Sequence, residues 1–108
     1  MEKNKIKYIQ ISTTVLKKSD AEKIAKILSE KKLSVCTQIV GPIMSVYKWK
    51  GKLEKSKEWL CLIKTKITLY KKIEKTIKNI HPYKLPEIIV IPIIKGSQEY
   101  LEWIDKEI

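Results

Sequence analysis

The chain has 108 residues, enough for one domain over residues 1–108 with a modest core. Its 23 basic residues are all lysine, set against 12 acidic ones, for a net charge of +11. The charge raises the question of an anionic partner, but there is no arginine to read guanine or clamp phosphate bidentately, and the lysines run from Lys3 to Lys106 instead of forming one block. Nucleic-acid binding is therefore not expected.

Hydrophobic content of 44% excludes a disordered chain. With 19 isoleucines and no phenylalanine, the apolar set leans toward a sheet-rich core. No apolar run approaches the roughly 20 residues needed to cross a bilayer. The charged start, Met1 to Lys7, has no apolar core of a signal peptide. Cys36 and Cys61 lack CxxC spacing, so a reducing compartment and a soluble, cytoplasmic protein are expected.

In chain order, Lys5–Thr13 reads as a first strand. Ser19-Asp20-Ala21-Glu22 has the form of a capping box, and Ala21, Ile24, Ala25 and Leu28 follow at helical spacing. Leu33–Ile39 is a second strand, and Gly41-Pro42 predicts a bulge or bend in it. Ile43–Trp49 alternates, with Ser45, Tyr47 and Trp49 on one face and Met44 and Val46 on the other. Lys50-Gly51-Lys52 is a turn, and Glu58–Thr65 returns as a strand. The hairpin over 43–65 is longer than a domain of this size needs, and its exposed edges suggest self-association.

Thr68 is placed to cap a second helix, with Leu69, Ile73, Ile77 and Ile80 as its apolar stripe. Pro82, Pro86 and Pro92 forbid a helix through the next stretch. Between the last two, Glu87–Ile91 is β-branched at four of five positions and reads as a buried strand fed by a loop that carries His81, the only histidine. Gly96-Ser97 caps a last helix with Leu101, Ile104 and Ile108 inward. The order β-α-β-β-α-β plus a helix predicts an α+β, ferredoxin-like fold.

No GxSxG, HExxH, Walker A or GxGxxG motif is present, and an enzyme is not expected. Cys36 and His81 are donor types suited to copper or zinc, and Glu54, Glu58 or Glu87 can add oxygen. One chain has too few soft donors for a closed tetrahedral centre, so such a site is open or shared between subunits. Tyr47, Trp49, Lys64 and Tyr83 are candidates for a pocket with aromatic walls and one ammonium. The aromatics serve equally well to pack a subunit interface.

His81-Pro82-Tyr83-x-x-Pro86-Glu87-Ile88-Ile89, then Pro92-Ile93, Gly96 and Tyr100-Leu101-x-Trp103-Ile104, resembles the divalent-cation-tolerance family, CutA. So do Thr13-Thr14, Cys36-Thr37-Gln38-Ile39, Ser45-x-Tyr47-x-Trp49-Lys50-Gly51-Lys52-Leu53-Glu54 and Ile63-Lys64-Thr65. These blocks cover nearly the whole chain. The resemblance implies a ferredoxin-like protomer in a tight homotrimer, its hairpins embracing neighbouring subunits, with a likeness to PII signalling proteins. It also implies a non-enzymatic role in copper and divalent-metal tolerance, and a cleft between subunits around Cys36, Tyr47, Trp49, Glu54, Lys64, His81, Tyr83 and Glu87. The expected donors to Cu²⁺ or another divalent ion are Cys36, Glu54 and His81. Tyr47, Trp49, Lys64, Tyr83 and Glu87 are the expected ligand-binding set, and a PII-like module for a small anion or a partner protein is the alternative role. Lys84 stands where the family usually has glutamate, and Ser34-Val35 replaces the usual small pair before the cysteine.

Overall fold

A computed structural model describes residues 5–108; the reading of Met1 to Asn4 lies outside the described residues. The elements are β1 (Tyr8–Val15), α1 (Lys18–Glu30), β2 (Cys36–Trp49), β3 (Lys52–Lys66), α2 (Tyr70–Ile80), β4 (Ile89–Ile93) and α3 (Gln98–Glu107), with a 3₁₀ turn at Ile67–Leu69. The strands form one antiparallel sheet in the order β2-β3-β1-β4. That is the expected ferredoxin-like arrangement.

Period-two alternation sends Ile9, Ile11 and Val15 of β1 and Cys61 and Ile63 of β3 into the core, where all are fully buried. They meet Ala21, Ile24 and Leu28 of α1 and Ile73 and Ile77 of α2 in one cluster. Leu69 and Ile80, at the ends of the predicted stripe, pack against its margin.

Two predicted caps are corrected. α1 starts at Lys18 after an extended Lys17 with no side-chain cap, so Ser19 falls inside the first turn. α2 follows Leu69, and Thr68 belongs to the preceding 3₁₀ turn. In both helices the buried apolar face sets the start, because tertiary packing outweighs one cap. Ser97 does cap α3, its hydroxyl accepting from the Tyr100 N–H at 3.3 Å.

The hairpin is longer than predicted. β2 has 14 residues and β3 has 15. At about 3.3 Å per residue, strands of that length account for the molecule's 45 Å longest dimension. Lys50 and Gly51 close it with φ of 53° and 82°, the doubly positive pattern that suits the strand twist. The register shifts between Val40 and Ile43, at the bulge expected from Gly41-Pro42. A Cβ on Gly41 would lie 2.6 Å from the Trp59 ring, so only glycine fits there.

β4 runs two residues later than predicted and is not buried. It is the edge strand beside β1, which is why Pro92 is tolerated within it. Val90 packs on the core, while Ile89 and Ile91 on the opposite face are 49% and 48% exposed.

Candidate functional site

The cross-strand register places Ser45 opposite Ser56 and Tyr47 opposite Glu54. Side chains two apart along a strand share a face, so Ser45, Tyr47 and Trp49 of β2 stand beside Glu54, Ser56 and Glu58 of β3. The loop after α2 folds across this face and brings Tyr83, Lys84 and Glu87. Together they line a cavity of about 770 Å³. Tyr47 Oη and Ser56 Oγ are 2.9 Å apart, which steadies one wall.

The innermost charged group is Glu58, only 7% exposed. The Tyr83 hydroxyl donates to its Oε2 at 2.6 Å. Burial first, and then this bond to a carboxylate, raise the Tyr83 phenol pKa well above its ordinary range, so it remains a donor at neutral pH.

His81 holds the root of the loop. Its Nε2 lies 2.9 Å from the Thr14 carbonyl oxygen, which can only accept, so that nitrogen carries the hydrogen. Nδ1 then accepts the Tyr83 N–H at 3.1 Å. The His81 ring also meets the Tyr83 ring edge-on, with centroids 4.8 Å apart. Burial lowers the histidine's pKa and favours this neutral form.

Five of the eight expected positions therefore line one cavity: Tyr47, Trp49, Glu54, Tyr83 and Glu87. Three do not. Cys36 lines a separate cavity of about 380 Å³ against Glu22, Lys26 and Ser29 of α1. Lys64 pairs in register with Cys36, and its ammonium donates to Gln38 Oε1. His81 stands behind the loop with both ring nitrogens bonded to backbone.

The expected metal set of Cys36, Glu54 and His81 is not assembled within the protomer. Among the described residues no three His, Cys, Asp or Glu side chains converge on a common point. Cys61 is fully buried, and burial pushes its thiol pKa up to about 11, leaving it inert. Glu58 entered the sequence reading only as one possible oxygen donor. Its period-two spacing from Glu54 and Ser56 was the signal for its place in the cavity.

A family model described as CutA1 divalent ion tolerance protein matches residues 9–107. The chain belongs to the CutA family. It is 40% identical over 91 residues to the divalent-cation tolerance protein CutA of Thermus thermophilus, covering 84% of this chain and 88% of that one. It is 37% identical to mouse protein CutA over 78% of this chain, but spans only 48% of the mouse protein's length. Among solved structures, CutA1 from Shewanella sp. SIB1 matches with a TM-score of 0.92 and 38% identity, over 95% of this chain and 96% of that one. The periplasmic divalent cation tolerance protein CutA of Archaeoglobus fulgidus matches at 0.90 and 38%, over 93% and 97%. Among the described residues, no helix of this CutA-family chain is long and apolar enough to cross a membrane.

Proposed function

We propose that the protein serves divalent-cation tolerance as a non-enzymatic, cytoplasmic homotrimer, with the hairpin cavity as its ligand site. One observation carries this reading beyond family membership: three carboxylates, Glu54, Glu58 and Glu87, line a single cavity. Glu54 and Glu87 are exposed hard oxygen donors, suited to weak capture of copper or another divalent ion. A neighbouring subunit would supply the rest of the coordination.

The trimer is supported by the apolar surface left on the hairpin and β4. Met44, Val46, Leu53, Ile89 and Ile91 are all close to half exposed or more, and such side chains gain by being covered. Sedimentation equilibrium tests this, and a monomer mass would reject it. Calorimetric titration with Cu²⁺ tests the metal site. Weak binding in the wild type that is lost in a Glu54→Gln, Glu87→Gln double variant is expected; equal isotherms would reject it.

Lys84 and the aromatic wall support a second reading, a PII-like module for a small anion, against which the three carboxylates of the same cavity weigh. A thermal-shift screen of anionic metabolites that finds no hit sensitive to Lys84→Ala would reject that role.

A further inference from the structure

Glu58 presents an electrostatic imbalance. A carboxylate with 7% exposure is costly unless paired or neutralised. Its only hydrogen bond among the described residues is the one from Tyr83, and no ammonium among them lies within 4 Å of it. Yet it faces a cavity whose other charges are Glu54 and Glu87 against the single ammonium of Lys84. Three carboxylates and one ammonium give the lining a net of two negative charges, in a protein whose overall charge is +11.

The walls narrow the class of cation that would balance them. Tyr47 and Trp49 are 42% and 48% exposed, so their ring faces are available, and Leu16 and Leu85 add apolar surface. A bare metal ion would leave these walls unused, and among the described residues of one protomer no three donors converge to hold one. An organic ammonium ion uses both features. Its charged head meets carboxylates, and its alkyl body lies against aromatic rings that attract cations. The cavity's 770 Å³ is of the size that takes small molecules.

We propose that the hairpin cavity binds a small organic diammonium ion, with one ammonium on Glu58 and the alkyl chain against Trp49 and Tyr47. The second ammonium reaches the exposed carboxylates Glu54 and Glu87. Lys84 acts against the ligand by lowering the negative potential. The inference rests on the cavity being the ligand site, but not on metal capture there.

Calorimetric titration of the full chain with 1,4-diaminobutane at low salt tests it, with 1,4-butanediol and Cu²⁺ as parallel ligands. The diamine should bind and the uncharged diol should not. Glu58→Gln, which keeps an acceptor for Tyr83, and Trp49→Ala should each weaken binding at least tenfold, whereas Lys84→Ala should tighten it severalfold. Trp49 is half exposed, so its variant keeps the test valid if Glu58→Gln folds poorly. Cu²⁺ binding without diamine binding overturns this inference and leaves the metal reading standing. Diamine binding without Cu²⁺ binding supports it and faults the metal reading. Equal diamine affinity in the wild type, Glu58→Gln and Trp49→Ala also overturns it, as does weaker binding in Lys84→Ala.

Discussion

The Tyr83 hydroxyl donates a 2.6 Å hydrogen bond to Oε2 of Glu58, joining the loop after α2 to the middle of β3, 25 residues away in sequence. This bond is the buried carboxylate's one partner among the described residues. Tyr83→Phe removes the donor while keeping the ring. Leaving a buried charged acceptor unmet should cost about 1–3 kcal/mol. A lower urea midpoint with an unchanged slope is the expected result; an unchanged midpoint would show that water satisfies Glu58.

His81 makes stability depend on pH. Its folded-state pKa lies below the ordinary value of about 6.5, mainly through burial. Below that ordinary value the unfolded chain binds a proton that the folded chain resists. The contribution is therefore fully present above about pH 6.5 and is lost as pH falls from there through the depressed folded value. The hydrogen bond to the Thr14 carbonyl, and then the charges of Asp20 and Glu58, oppose the shift without reversing it. Urea midpoints should fall between pH 7 and 5 in the wild type, and less steeply in His81→Gln.

Because both nitrogens of His81 are engaged by the Thr14 carbonyl and the Tyr83 N–H, the histidine has no free lone pair for a metal. His81→Ala should leave the Cu²⁺ isotherm unchanged while lowering the melting temperature. Loss of Cu²⁺ heat in this variant, with the fold retained, would return His81 to the donor set.

Gly41 of β2 lies close against the Trp59 ring of β3. Gly41→Ala places a methyl group 2.6 Å from Trp59, beside the register shift. Overpacking of this kind costs about 1–3 kcal/mol. Thermal melts should show the loss, and relief by Trp59→Leu in the same chain would tie it to that contact.

Cys61 should not react with a thiol reagent in the native state, since it is fully buried with a pKa raised to about 11. In Cys36→Ser, colour development with a disulfide reagent should follow unfolding and not precede it. Rapid native-state labelling of that variant would contradict the packing of β3.

The sequence by itself determined the element types, their order and the helical stripes, because periods of 2.0 and 3.6 are local properties of the chain. Its joint blocks of residues also pointed to the family before any coordinates. Tertiary structure decided what depends on pairing. β4 reads as a core strand from its isoleucines, but its place at the sheet edge leaves Ile89 and Ile91 half exposed. Tyr47, Trp49 and Glu54, read from the sequence as pocket aromatics and an oxygen donor, do come to one cavity because they lie on one face at the end of the hairpin. The place of His81 behind the cavity was not legible, since it depends on where the loop after α2 crosses the sheet, whereas Cys36 and Lys64 are set apart because they pair with each other at the opposite end of the hairpin from Tyr47 and Trp49. Glu58 is the clearest case: its residue type suggests a solvated charge, and only the fold of Tyr83 over β3 makes it a buried one.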